Sequence, residues 1–227
     1  MNRLTRGFWQ LMALVVVVGC QDVAAPAAAR APTTLEADKQ PPPPKPKSKQ
    51  NTGADIDLAR VLVQGDSVPS LTTYQVSFWA SRDRATNVVV RYAPVNGQTV
   101  GAPFLAFEIP KGSVKRHPNG QDFKGRDSVL ITMTIDTVHF LVDFEPSGLQ
   151  FDNGNPALLA FFYENADPDL NGDGVVNATD DSLRHQLAIV YQTARHQPWW
   201  KNWSWNDPAA QFVIAPIYHY SQYAVSW

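Results

Sequence analysis

Six oxygen donors at regular spacing give residues 169–180 the clearest chemistry of the chain. In this stretch of twelve residues, positions 1, 3, 5, 7, 9 and 12 supply Asp169, Asn171, Asp173, the Val175 carbonyl, Asn177 and Asp180. A hard cation such as Ca²⁺ takes about six to eight oxygen ligands, and a loop with donors at these positions can surround it. Gly174 stands at position 6, where the chain must turn sharply, and glycine takes a positive φ at little steric cost. The spacing therefore predicts one bound calcium ion.

A metal-free turn is the alternative interpretation, because Asp, Asn and Gly also favour turns. Against it, three carboxylates brought together without a cation repel one another, and Asp167 and Asp181 on the flanks add to that repulsion. Val176, at position 8 of the loop, is expected to point away from the metal into apolar packing.

The loop differs from the usual EF-hand pattern at its last position, which is Asp180 rather than Glu. The preceding residues 158–163 also lack the character of an entering helix. The stretch therefore resembles the calcium repeat of dockerin modules, which starts with the loop and ends it on Asp. Dockerins carry two such repeats, and this sequence has one recognisable copy. The resemblance implies calcium binding and, as an alternative function, contact of Ala178 and Thr179 with a cohesin-like protein.

Four tryptophans make a second candidate site, for ligand binding: Trp199, Trp200, Trp203 and Trp205. Exposed indole faces can stack on sugar rings, so a carbohydrate-binding module is the second alternative function. The competing interpretation is that these side chains fill the core or cover a sheet edge, since aromatic residues dominate core burial.

No catalytic constellation stands out in the sequence. Its five histidines are scattered without metal-protease spacing: His117, His139, His185, His196 and His219. There is no G-x-S-x-G motif and no glycine-rich phosphate loop. Glu108 and Glu164 could form a carboxylate pair, but nothing in the sequence places them together. The protein is therefore expected not to be an enzyme.

The N-terminal residues are predicted to form a targeting signal. Arg3 and Arg6 precede an apolar run, residues 8–18, that is short for a membrane span. The run ends in Val-Val-Gly-Cys at Cys20, which resembles the lipobox of bacterial lipoproteins, where the signal is cut before a cysteine that carries diacylglycerol. Residues 1–19 are thus expected to be a signal peptide and Cys20 a lipid anchor in the bacterial cell envelope. Gln21, rather than Asp, follows and permits the outer membrane, on its periplasmic or surface face.

Residues 20–55 are predicted to be a disordered tether after the lipidated cysteine, rich in Ala, Pro and Lys. A proline-rich chain rises about 3.1 Å per residue, so this tether could reach roughly 100 Å. Removal of residues 1–19 would leave 17 Lys and Arg against 21 Asp and Glu, a formal charge of −4. Such a mildly acidic chain offers no basic field for nucleic acid.

Residues 56–227 read as one all-β domain. About nine or ten short apolar runs are separated by turn residues, a spacing that predicts an antiparallel, immunoglobulin-like β-sandwich with an inserted calcium loop and little helix. Residues 60–64 and 187–191 are among the predicted strands, with a short exit helix as the alternative for 187–191, and residues 182–186 are predicted to make one helical turn. Leu130 breaks the alternation of an otherwise regular strand at 129–138.

Three motifs in this domain resemble the ZU-five-type β-sandwich of ankyrins, netrin receptors and bacterial envelope proteins. They are Phe-Glu-Ile-Pro-Lys-Gly-Ser-Val at 107–114, the turn Val-Asp-Phe-Glu-Pro-Ser-Gly-Leu-Gln-Phe at 142–151, and the closing strand His-Tyr-Ser-Gln-Tyr-Ala-Val at 219–225. Residues 158–167 are similar to the strand that follows the second motif in that family. The resemblance implies a non-catalytic sandwich used in adhesion, scaffolding or protein interaction. The expected function is a membrane-anchored envelope protein that binds one structural calcium ion and an unknown protein or polysaccharide.

Overall fold

The computed structural model describes residues 58–193 and 197–227. The predicted signal peptide, Cys20 and the whole tether up to residue 55 lie outside the described residues, as does His196. No helix in the described ranges has the length and apolar character needed to cross a membrane.

Strands make up most of the regular structure. They are β1 (Gln75–Ser81), β2 (Thr86–Arg91), β3 (Pro103–Ile109), β4 (Val114–Arg116), β5 (Ser128–Ile135), β6 (Leu141–Glu145), β7 (Gln150–Phe151), β8 (Ala157–Phe162), β9 (Ala188–Gln192), β10 (Trp199–Lys201), β11 (Trp205–Asp207), β12 (Phe212–Ile217) and β13 (Gln222–Ser226). The described helices are a 3₁₀ turn at Leu58–Arg60 and α1 (Ala178–Arg184).

Two antiparallel sheets form the sandwich. One has six strands in the order β1-β5-β6-β13-β9-β10, the other has five in the order β11-β12-β8-β3-β2, and a small ladder joins β4 to β7. Aromatic side chains join the sheets, with the rings of Phe107 on β3 and Phe144 on β6 4.8 Å apart. The expected all-β antiparallel sandwich with little helix is confirmed.

The alternation of apolar residues explains how the strands face this core. On β5, Ile131, Met133 and Ile135 are buried, whereas Leu130 is 46% exposed on the opposite face. Leu130, which breaks the alternation in the sequence, therefore obeys the two-residue period of the strand and lies outside the core. It pairs with Trp79 on β1, which is also exposed.

Residues 60–64, ahead of β1, were predicted to form a strand but do not form one. They form isolated bridges, Val61 with Ser226 and Val63 with His139. Leu62 donates to the Val225 carbonyl at 2.9 Å and accepts from the Phe140 N–H at 2.8 Å, so neighbouring residues pair with different segments. Val61 covers the outer face of the six-stranded sheet, where it packs in a small cluster with Val190, Trp199 and Ala224.

Candidate functional site

The candidate calcium loop lies where the chain changes sheets. It follows β8 of the five-stranded sheet and, through α1, leads to β9 of the six-stranded sheet. The predicted strand at 187–191 is confirmed as β9 with a shift of one residue. The helical turn predicted at 182–186 begins earlier, at Ala178, directly after the loop's ninth position.

Asp169 organises the first half of the loop. Its Oδ1 accepts from the N–H groups of Gly172 (2.9 Å) and Asp173 (3.2 Å), and its Oδ2 accepts from the Gly174 N–H (2.7 Å). Gly174 has φ +83°, a conformation that L side chains rarely adopt, although a Cβ there would meet nothing within 4 Å. Backbone conformation, and not lack of space, is therefore what position 6 demands.

The middle of the loop is closed by short side-chain contacts. Asp173 Oδ2 accepts from the Asn171 amide at 2.9 Å, and Asp173 Oδ1 accepts from the Val175 N–H at 2.8 Å. The Val175 carbonyl, a predicted metal ligand, accepts from the Asn177 amide at 2.9 Å. The predicted donors thus bond to one another and to the loop backbone.

Asp180 ties the end of the loop to its beginning. Its Oδ2 accepts from the Asn177 N–H (2.8 Å) and its Oδ1 from the Leu170 N–H (2.9 Å), while Asn177 caps α1 by accepting from the Thr179 N–H (2.7 Å). This reciprocal pair is a capping box, which satisfies helix N–H groups that lack partners. The N–H groups of Asn177 first, then of Asn171 and Leu170, lower the pKa of the fully buried Asp180 carboxyl.

The loop fits calcium in the chemistry of its donors. All six predicted donors are hard oxygens, the type that Ca²⁺ prefers. Within residues 58–193 and 197–227, no Lys or Arg forms an ion pair with Asp169, Asp173 or Asp180, and Arg184 binds Asp181 instead, at 2.9 Å. In the same ranges no three His, Cys, Asp or Glu side chains come together as a metal-binding group. The six-donor site therefore stays a prediction.

One expectation about the loop is wrong. Val176 is 58% exposed and does not enter apolar packing, because the turn at Gly174 leaves position 8 on the outside. The apolar anchor of the loop is Leu170, at position 2, which is 7% exposed and belongs to the main core. Ala178 and Thr179, the residues named for a cohesin-like contact, are exposed on the first turn of α1.

The four tryptophans divide between two edge strands. Trp199 and Trp200 lie on β10, where Trp199 is buried in the outer cluster and Trp200 is half-buried. Trp203, just before β11, is 37% exposed, and Trp205, the first residue of β11 on the edge of the other sheet, is 41% exposed. Trp205 packs edge-on against Phe212 at 5.2 Å. Half of the predicted cluster is therefore packed, and half is accessible.

Asn206 connects the calcium loop segment to this tryptophan edge, a role that nothing in the sequence indicates. Its amide donates to the Arg184 carbonyl at the end of α1 (2.8 Å), and its Oδ1 accepts from the Tyr163 hydroxyl (2.8 Å). The chain before the loop and the helix after it are thus both held by one side chain of β11.

The remaining titratable groups do not converge on a reactive centre in the described part of the chain. Glu108 lies opposite Leu158 at the start of β8, whereas Glu164 follows the end of that strand, so the two carboxyls do not meet. Among the described histidines, His117 pairs with Asp127 and His139 with Asp136.

Comparison with protein-family models, with curated proteins and with solved structures found no match to this chain. The resemblances to dockerin repeats, bacterial lipoproteins and ZU-five-type sandwiches stay predictions from short motifs.

Proposed function

We propose that the chain is a non-catalytic, lipid-anchored protein of a bacterial cell envelope, whose β-sandwich binds one structural calcium ion in the loop at 169–180. The lipid anchor rests on the residues before Cys20, and calcium binding on the loop. The observation that carries the proposal is the closed arrangement around Asp169 and Asp180. Their carboxylates already draw the loop backbone into a ring of oxygen donors.

Charge supports a cation in this ring. Asp169 and Asp173 lie within one turn, since the Asp173 N–H bonds to Asp169 Oδ1 at 3.2 Å, and neither carboxylate has a basic partner in the described ranges. A bound Ca²⁺ would replace their mutual repulsion by coordination. Because the segment spans from one sheet to the other, the ion would stabilise the connection between β8 and β9. Such a stabilised sandwich suits adhesion, scaffolding or protein interaction at the cell envelope.

Calorimetric titration of the chelator-stripped full chain with calcium tests this proposal. We expect one site with a dissociation constant of about 10⁻⁴–10⁻³ M, the range of extracellular calcium modules. Asp173→Ala should abolish the binding heat. Asp181→Ala is the matched control, because Asp181 is an exposed neighbour that pairs with Arg184 outside the donor set. Absence of binding to the wild type, or undiminished binding to Asp173→Ala, would contradict the proposal.

A second candidate function, carbohydrate binding at β11, is favoured by the exposure of both Trp203 and Trp205. They are separated by one residue, a spacing that places alternate side chains of an extended chain on one side. A glycan array probed with the wild type and with the Trp203→Ala/Trp205→Ala double variant tests it. Loss of polysaccharide signals in the double variant supports this function, and unchanged signals reject it.

A further inference from the structure

A cavity of about 400 Å³ lies at the end of the sandwich opposite the calcium loop. Strand β9 leaves the loop segment at Ala188 and reaches this cavity just after Gln192. The polar residues among those that line the cavity, within the described part of the chain, are Gln150, Asn153, Thr193, Tyr218, His219 and Tyr220. Its volume falls in the range of about 300–1,000 Å³ that is usual for small-molecule sites.

Backbone hydrogen bonds hold the walls of the cavity in place. The Phe151 N–H donates to the Tyr218 carbonyl at 2.9 Å, and the Tyr220 N–H donates to the Leu149 carbonyl at 2.8 Å. Phe151 and Tyr220 are buried, with ring centroids 5.1 Å apart in an edge-to-face contact. The backbone of the cavity walls is therefore in place before a ligand binds, and only the exposed side chains of its rim would be ordered on binding.

The rim of the cavity carries unused hydrogen-bonding capacity. Gln150, Asn153 and Thr193 are exposed, and their side chains make no hydrogen bond within the described residues. Each amide offers two N–H donors and an accepting oxygen, and the hydroxyl of Thr193 can both donate and accept. Tyr220 is 1% exposed, and its hydroxyl has no partner among the described residues.

None of the described lining residues carries a charge at neutral pH. There is no Asp, Glu, Lys or Arg among them, and burial lowers the pKa of the His219 imidazole, which favours its neutral form. Burial also raises the pKa of the Tyr218 phenol. An ionic ligand would find no counter-charge on these walls, whereas a neutral ligand with many hydroxyls would find donors and acceptors.

We propose that this cavity binds a neutral sugar residue, with its hydroxyls bonded to Gln150, Asn153 and Thr193 and its ring against the aromatic side chain of Tyr218. A sugar combines hydroxyls on its rim with apolar C–H faces, and the cavity combines amides with aromatic rings. A peptide that binds by adding a strand to a sheet fits less well, because that mode needs a free strand edge. Gln150 has no free edge, since it pairs with Arg116 on one side and His219 on the other.

Saturation-transfer difference NMR on the full chain tests the sugar site. The probes are glucose, galactose, mannose, N-acetylglucosamine and their neutral disaccharides, with glucuronic acid and glucosamine as charged comparators. We expect signals from at least one neutral sugar and none from the charged ones. Gln150→Ala should weaken binding about tenfold, and Thr193→Tyr, which fills the cavity from its exposed rim, should abolish it. Gln98→Ala is the matched control, because Gln98 is exposed in a distant turn.

Three outcomes would overturn the proposal. They are no signal from any neutral sugar, wild-type binding by both Gln150→Ala and Thr193→Tyr, and preference for a charged sugar. Binding lost only in the Trp203→Ala/Trp205→Ala variant would move the site to β11. A signal from the capped peptide Ac-Ala-Ser-Ala-NH₂, without one from sugars, would assign the cavity to peptides. Chelator should leave sugar binding unchanged, so the test of the sugar site does not depend on whether the loop binds calcium.

Discussion

In the described part of the chain, two connections lead directly from the five-stranded to the six-stranded sheet, without passing through the small β4–β7 ladder, and they differ in chemical character. The connection between β12 and β13, at residues 218–221, is aromatic: Tyr220 stacks on Phe144 at 4.9 Å and meets Phe151 at 5.1 Å. The connection between β8 and β9, at residues 163–187, is polar: carboxylates accept from backbone N–H groups. One is held by apolar burial and the other by hydrogen bonds to charged groups.

Because of this difference, solution conditions should act on the two connections unequally. Apolar side chains neither titrate nor bind a metal ion, so the stabilisation from their burial depends little on pH or on calcium. A ring of carboxylates depends on both, because its charge and its bound cation change with the solution. The aromatic connection should therefore set the basal stability of the sandwich, and the carboxylate connection should make part of that stability adjustable.

A substitution in the aromatic connection should lower the unfolding free energy most. Tyr220→Ala should cost about 3–5 kcal/mol of unfolding free energy, since it removes a ring that is 1% exposed. Tyr220→Phe should stay within about 1 kcal/mol of the wild type, because the hydroxyl that it deletes has no partner in the described chain. Urea unfolding measures both. A cost above about 2 kcal/mol for Tyr220→Phe would show that the hydroxyl does have a partner.

The next effect lies at the bond between the carboxylate connection and β11. Asn206→Ala should cost about 2 kcal/mol, because it leaves the Arg184 carbonyl and the buried Tyr163 hydroxyl without this partner. Asn87→Ala, on the exposed face of edge strand β2, should change stability by less than about 0.5 kcal/mol. Equal unfolding midpoints for the two variants would mean that Asn206 does not hold the helix.

Calcium should raise the unfolding free energy by a smaller amount that depends on its concentration. At a calcium concentration ten times the dissociation constant, binding to the folded state alone adds about 1.4 kcal/mol. For a domain of this size that corresponds to a rise of roughly 3–6 °C in Tm. The rise should be the same in the wild type and in Tyr220→Phe, because separate sites add, and absent in Asp173→Ala. A calcium response in Asp173→Ala would place the ion elsewhere.

The smallest effect concerns acid. The Asn177 N–H and its neighbours lower the pKa of folded Asp180 below its unfolded value, so the unfolded state binds more protons in that interval. The stabilisation by this carboxylate is complete above about pH 4 and is lost as the pH falls through the folded pKa. Without calcium, Asp180→Asn should therefore show a shallower loss of stability below about pH 4 than the wild type. Parallel urea midpoints in acid would contradict this role.

Local sequence patterns predicted the all-β fold, because strand alternation and turn residues are both encoded by neighbouring positions. The alternation at 129–135 set the inward and outward faces of β5, and the Gly and Asx residues of the loop set its turns. The positions of Trp203 and Trp205 at a sheet edge could not be read in the same way. They depend on which strand pairs with β12, a long-range choice that short motifs do not encode.

In the candidate sites, too, features set by nearby residues could be predicted and features set by distant residues could not. Spacing alone identified Asp169 and Asp180 as partners in one loop, since both ends of the pattern lie within twelve residues. The role of Asn206 could not be predicted, because its partners at 163 and 184 lie far away in the sequence. The neutral cavity was missed for this reason too. Its lining residues lie at 148–153, 193 and 218–220, and the sequence motifs that some of them belong to do not indicate that they meet in one cavity.

The bridge of Leu62 to Val225 and Phe140 has a mechanical consequence. Tension applied to the chain ahead of residue 58 would reach the sandwich first at residues 61–64, whose contacts with the sheet are isolated bridges and not a continuous ladder. These bridges would break one at a time, and Val61 would leave the outer cluster before any strand of either sheet bears the load. Detachment of this segment would lengthen the chain under force, and it would also withdraw the buried Leu62 side chain from the main core.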